Sequence, residues 1–302
     1  MNMEKVLKHA RKLSEPYRVG DGKGFKLKRF HPGDTGGLKS EDKPQTKETL
    51  ALGIEALAEL QDRLYAHDRW SLLLIFQAMD AAGKDSAIKH VMSGVNPQGC
   101  QVYSFKTPSA EDLQHDFLWR TTKCLPERGR IGVFNRSYYE EVLIVRVHPE
   151  ILASQRLPPR LVTKKIWEHR LESIRDFELH LTRNSVVVRK FFLYVSKEEQ
   201  LRRFLARLEK PDKNWKFSPS DVQERDRWNE YMSAYEEMIR GTATEDAPWH
   251  VVPADNKWYT RAVVGAAVID ALGELDPQYP TVDKDKKKEL AAIRLALIKR
   301  AK

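Results

Sequence analysis

Three observations predict an α/β fold in which a five-stranded parallel sheet lies between two layers of helices, as a three-layer sandwich. Residues 71–77, SLLLIFQ, are a continuous apolar run of strand length, as expected for a strand buried on both faces. Further candidate strands alternate with stretches of helical period, the pattern of a parallel sheet covered on both sides. The first strand also breaks into small residues, then Gly83 and Lys84, then a helical pattern. With 302 residues and 41% hydrophobic content, the chain can bury one sizeable core.

Taken in order, residues 1–48 are polar and rich in glycine and lysine, and read as an N-terminal arm that wraps the surface. ETLALGIEALAELQDRLYAHD then carries apolar residues at helical spacing. Residues 71–77 are the first strand, and 100–106, 130–135, 186–195 and 249–254 are the others. Helical patterns occupy 84–95, 109–123, 138–147, 160–182, 197–209, 220–240 and 258–273. Residues 49–280 thus form the main domain. Residues 281–302 are a terminal helix with a charged start, expected to be a solvated surface helix.

An insertion at about 200–241 does not fit the simple layers. Between Arg202 and Lys216 stand six basic residues (Arg202, Arg203, Arg207, Lys210, Lys213, Lys216) against Glu209 and Asp212. The following helix opens with Ser218 as N-cap, Pro219 at the first position and Asp221 at the third. The segment reads as a helical hairpin with a positive tip, placed to act as a lid at the carboxyl ends of the strands.

Composition narrows the chemistry. Cys100 and Cys124 make neither a disulfide framework nor a metal site, and suit a reducing cytoplasm. The N-terminus has no apolar signal core, and no run approaches a membrane span. A cytoplasmic protein without a membrane partner is expected. The net charge of +9 suits an anionic partner.

The turn after the first strand compares with the phosphate-loop pattern G-x-x-x-x-G-K-[ST]. Gly83 and Lys84 match, whereas Ala78 stands at the first glycine and Asp85 at the Ser/Thr position. Ala81, Ala82 and Gly83 are small enough for backbone N–H groups to approach an anion, and a helix starts there. The loop runs on through Ser86. Asp80 would repel a phosphate unless Mg²⁺ lay between them. A second constellation is GVFNRSYYEEVL, where Asn135 and Arg136 follow a strand end. Ser137 and Glu140 also fit a capping box, so Glu140 reads either as a helix cap or, with Glu141, as a functional carboxylate. His148 and His169, near these motifs, read as structural or surface residues.

QAMDAAGKDSAIK, FNRSYYEEVLIVRVH, KPDKNWKFSPSD and APWHVVPADNKWY, in that order across about residues 20–280, resemble the family-2 polyphosphate kinases. FNRSYYEEV, with Asn before the Arg, resembles the third class, which phosphorylates nucleoside monophosphates as well as diphosphates. The resemblance implies a P-loop kinase-like fold with a helical lid. It also implies phosphoryl transfer between inorganic polyphosphate and AMP, ADP or ATP, with Mg²⁺, or Mn²⁺ in its place, and a homo-oligomer. On matching positions it implies that Asp80, Lys84, Asn135 and Arg136 are catalytic, with Asp85 in the phosphate loop. Arg203, Arg207, Lys213, Lys216 and Arg225 would hold polyphosphate from the lid, and Asp80, Glu140 and Glu141 would handle metal. A dense line of phosphates needs such a basic track, and phosphoryl transfer asks for positioning and charge neutralisation. An ATP-dependent nucleotide kinase of the same fold is the alternative. A nucleic-acid-binding role is disfavoured, since no recognition helix, zinc spacing or stacking motif is present.

Overall fold

The computed structural model describes residues 2–211, 214 and 219–301. Ser218, and the lid cations Lys213 and Lys216, lie outside the described residues. The strands are β1 (Arg18–Val19), β2 (Ser71–Gln77), β3 (Cys100–Ser104), β4 (Ile131–Asn135), β5 (Val186–Tyr194) and β6 (Trp249–Pro253). The α-helices are α1 (Met3–Ser14), α2 (Lys43–His67), α3 (Lys84–Val91), α4 (Trp119–Thr122), α5 (Ile144–Val147), α6 (Pro149–Ser154), α7 (Ile166–Arg183), α8 (Lys197–Leu208), α9 (Pro219–Asp226), α10 (Trp228–Thr242), α11 (Lys257–Leu275) and α12 (Lys284–Arg300).

The sheet order is β1-β6-β5-β2-β4-β3. All pairs are parallel except β1 with β6. The sheet therefore has six strands rather than the expected five, and it is mixed at one edge. The extra strand is two residues of the N-terminal arm, Arg18 opposite His250 and Val19 opposite Trp249, too short to carry a strand period. Every residue of β2 is buried, which is why its sequence lacks alternation. Helices α1, α2 and α3 pack with α11 on one side, and α7 and α10 pack on the other. The arm is thus anchored through α1 against α11 and through β1 in the sheet.

The expected helix over 84–95 ends at Val91, that over 160–182 starts at Ile166, that over 220–240 breaks at Arg227 into α9 and α10, and two others are much shorter than read. Over 109–123 only Trp119–Thr122 is α-helical, because Ser109 and Asp112 exchange side-chain bonds with each other's N–H, and Asp116 accepts from the Leu118 N–H. Such side-chain turns compete with a continuing helix. Over 138–147, a 3-10 turn at Tyr138–Val142 gives way at Leu143 to the short α5. The terminal helix α12 contains no residue buried within this chain.

The chain leaving β2 crosses to one side, to β3, and the chain leaving β5 crosses to the other, to β6. Their carboxyl ends therefore flank a switch point, where ligand crevices form in α/β sheets.

His250 on β6 gives the fold an acid sensitivity. It is 3% exposed and stacks on Phe191. Burial, then the charges of Arg189 and Arg18, push its pKa down to about 3. The unfolded chain binds a proton near pH 6.5 and the folded one does not, so stability falls as pH drops below 6.5. His250 alone should cost about 2–3 kcal/mol by pH 4.5. His250→Phe, which keeps the stacking, should remove that share of the pH dependence in denaturant titrations at pH 6.5 and 4.5.

Candidate active site

The loop between β2 and α3 wraps around its own lysine. Ala81 and Gly83 take left-handed backbone angles, φ 60° and 107°, and Arg136, after β4, has φ 63°. Left-handed non-glycine residues cost about 1–3 kcal/mol each and gather at functional sites. The Arg136 N–H bonds the Phe76 carbonyl at 3.0 Å, carrying the β2–β4 pairing one residue past the strand and fixing Arg136 at the root of the loop. Gly83 caps α3 without a side chain, so the first-turn N–H groups open into the loop. Ala81 and Ala82 are buried against it.

Lys84 is half-buried, with Nζ 2.7 Å from the Ala78 carbonyl. Burial and then Arg136 pull its pKa below that of an ordinary lysine, while Asp80, Glu140 and Asp85 oppose them. The Arg136 guanidinium donates to Asp80 at 3.2 Å. Glu140 raises the Arg136 pKa, more than burial lowers it. Burial raises the Glu140 pKa above the carboxylate norm, against Arg136 and Lys84. Asn135 donates to Asp85 at 3.0 Å, which ties the end of β4 to the first turn of α3. Ser86 accepts from Arg261 of α11 at 2.7 Å. Asp80, Lys84, Asp85, Asn135, Arg136 and Glu140 thus lie together around the loop.

Glu140 and Glu141, taken together as candidate metal carboxylates, part company. Ser137 caps its turn through the Tyr139 N–H rather than in exchange with Glu140. The Gln77 amide, oriented to satisfy its neighbours, donates to Glu140 at 2.8 Å and accepts from the Ser137 hydroxyl and N–H. Glu141 is 3% exposed and is held by Gln155 at 2.6 Å and by Arg170 at 3.4 Å. The tight turn aims adjacent side chains apart, and only Glu140 interacts with the loop.

The lid cations also divide. Arg203 is 6% exposed. It donates to the Ala81 and Ala82 carbonyls at 3.0 and 2.7 Å, to those of Ala254 and Asp255 at 2.6 and 3.0 Å, and to Glu199 at 2.6 Å. It clamps the loop to the end of β6, and its bonds are spent on protein atoms. Gln200 donates to the Asp80 carbonyl at 3.0 Å. Arg225 braces Gln200 at 3.1 Å and the Lys197 carbonyl at 2.6 Å. Arg207 is half-buried over the Phe204 ring. His148 bridges Glu150 and Glu224 of α9 at 3.0 and 2.9 Å, which is a structural role. Arg203→Lys, which loses the fork, should lower both stability and kcat while leaving the KM within about twofold. A higher KM at unchanged stability would instead mark Arg203 as a substrate contact.

Sequence reasoning passed over Gln77, Gln200 and Arg261. Gln77 left one signal, a polar residue closing an otherwise apolar strand. Among the described residues, no three His, Cys, Asp or Glu side chains gather as a metal cage. Asp80 and Glu140 still suit Mg²⁺, which takes one or two carboxylates and completes its shell with water and substrate phosphates. No described helix is long and apolar enough to cross a membrane.

The model for the polyphosphate kinase 2 family matches residues 39–280. An ADP-polyphosphate phosphotransferase from Rhodopseudomonas palustris is 52% identical over 287 residues, 95% of this chain and 99% of the relative. An AMP/ADP-polyphosphate phosphotransferase from Meiothermus ruber is 42% identical over 264 residues, 87% and 94% of the two chains. A crystal structure of polyphosphate kinase 2 from Arthrobacter aurescens is similar at TM-score 0.84 and 42% identity, covering 93% of this chain and 96% of that one.

Proposed function

The chain belongs to the polyphosphate kinase 2 family, and we propose that it transfers phosphoryl groups from inorganic polyphosphate to AMP and ADP, and back from ATP. The observation that carries this reading is the lysine of the phosphate loop, half-buried beside a guanidinium and facing three carboxylates. Phosphoryl transfer needs charge neutralised and atoms aligned more than it needs covalent help. Lys84 and Arg136 take the transferring phosphate, and the N–H groups at the start of α3 take its neighbour. Asp80 and Glu140 would hold Mg²⁺, which when bound neutralises phosphate charge beside these carboxylates. Asn135 keeps Asp85 turned to β4, and Gln77 keeps Glu140 turned to the loop. The acceptor oxygen of AMP or ADP is already ionised at neutral pH, so these residues need supply no general base. Arg207 and, outside the described residues, Lys213 and Lys216 would hold the rest of the polyphosphate chain and keep water out.

Of the relatives above, one is named for ADP and the other for AMP and ADP. AMP as an acceptor is therefore the finer part of the proposal. Supplying ADP with polyphosphate and Mg²⁺, and no ATP, should yield ATP. Turnover of AMP that appears only when ATP is the donor would point to an ATP-dependent nucleotide kinase instead.

A further inference from the structure

We propose that the N-terminal arm carries a second polyphosphate subsite, a cationic cavity around Lys23, Lys26 and Arg29 that takes the distal phosphates of a long chain. This rests on polyphosphate being the donor. The cavity has a volume of about 470 Å³ and is lined by residues of the arm between Pro16 and Asp34. Arg18, Lys23, Lys26 and Arg29 stand in its wall against Asp21 and Asp34. Both acids are turned to the arm itself. Asp21 accepts from the Lys23 N–H at 2.8 Å, and Asp34 accepts from the Tyr17 hydroxyl at 2.7 Å and the Gly36 N–H at 2.9 Å. Arg18 is paired with Glu245 at 2.7 Å, and Lys26 lies 3.8 Å from Glu236. Lys23 and Arg29 are exposed and have no ion pair among the described residues.

The arm is a built structure with a fixed course. From β1 it runs to the amino end of β6, where Gly22 lies so close to the Arg240 carbonyl that a Cβ would come within 2.0 Å of it. It returns along α10, with the Leu27 N–H on Glu236 at 2.9 Å. It then reaches the carboxyl end of β6, where Asp255 donates to the Pro32 carbonyl at 3.1 Å and Asn256 to the Gly33 carbonyl at 3.2 Å. The carbonyls of Ala254 and Asp255 are the ones Arg203 joins to the phosphate loop. The cavity therefore runs beside β6, from Lys23 near the amino end of that strand to His31 and Asp34 near the carboxyl end that frames the reaction centre. A polymer of ionised phosphates leaving that centre meets unpaired cations there, and the lid need not carry it alone.

The test is the full chain with Lys23→Gln and Arg29→Gln together. With nucleotide saturating, the KM for long-chain polyphosphate should rise about five- to tenfold, the loss expected for two exposed ionic contacts. The KM for tripolyphosphate, which is too short to reach the arm, and kcat should not change. Lys23→Arg with Arg29→Lys, which keeps both charges, should keep the long-chain KM. An unchanged long-chain KM, or an equal rise for tripolyphosphate, would overturn the proposal. Direct titration with labelled long-chain polyphosphate separates this from the function itself. If the unaltered protein transfers no phosphate from either donor, the proposed function fails, and weaker binding by the Gln variant still supports the subsite. Displacement of the label by duplex DNA as readily as by polyphosphate would make the arm a nucleic-acid surface and overturn it.

Discussion

Lys84→Ala lowers kcat about a thousandfold, the upper range for losing one preorganised electrostatic group, and leaves the protein folded. Among the described residues, Lys84 Nζ has one protein hydrogen bond, to the Ala78 carbonyl. Its loss costs about 1 kcal/mol of stability, and the desolvation that depresses the Lys84 pKa is relieved at the same time. Lys84→Arg should rescue little, because the slot holds a point charge rather than a planar fork. Single-turnover rates and thermal unfolding, measured on one preparation, read both effects. A rate within tenfold of the unaltered enzyme would remove Lys84 from the reaction.

Glu178→Ala should cost about 3–5 kcal/mol of stability, because it strands a charge in the core. Lys190 of β5 is 0% exposed and pairs with Glu178 of α7, which is 1% exposed. Lys190 also donates to the Thr242 carbonyl at 2.7 Å. Glu178 accepts the hydroxyls of Tyr138 and Tyr139 at 2.9 and 2.7 Å. These two tyrosines follow directly on Asn135, Arg136 and Ser137, so the ion pair supports the site from beneath. Burial lowers the Lys190 pKa and Glu178 opposes it, so without Glu178 the amine sheds its proton or drags water inward. The double variant Glu178→Leu with Lys190→Met should recover only part of the loss, since it removes the stranded charge but leaves the Tyr138 and Tyr139 hydroxyls without their acceptor. A loss below about 1 kcal/mol in urea unfolding of Glu178→Ala would show that the pair is not coupled as described.

Of the five longer strands that the sequence carried, β2, β4, β5 and β6 are buried enough to leave a clear mark, whereas β3 has no buried residue. β2 and β6 are buried throughout and read as apolar runs. β1 left no mark, because two residues cannot show a period. The convergence of Asp80, Lys84, Asn135 and Arg136 was legible, since each follows a strand end that the sheet brings together. Backbone strain was not legible, because Ala81 and Arg136 adopt left-handed angles without being glycine. Nor was the clamp of Arg203, since an arginine in a basic helix reads as a surface cation until its five acceptors are placed around it. The split between Glu140 and Glu141 depended on a 3-10 turn where the sequence suggested an α-helix.

The donor is the central claim, and one assay tests it most directly. Purified protein is mixed with AMP, long-chain polyphosphate and Mg²⁺ in the absence of ATP, and the nucleotides are separated by chromatography over time. ADP should appear first and ATP after it, both at rates that fall with Lys84→Ala. If AMP stays unchanged until ATP is added as donor, polyphosphate is not the phosphoryl source, and the account of this site is wrong.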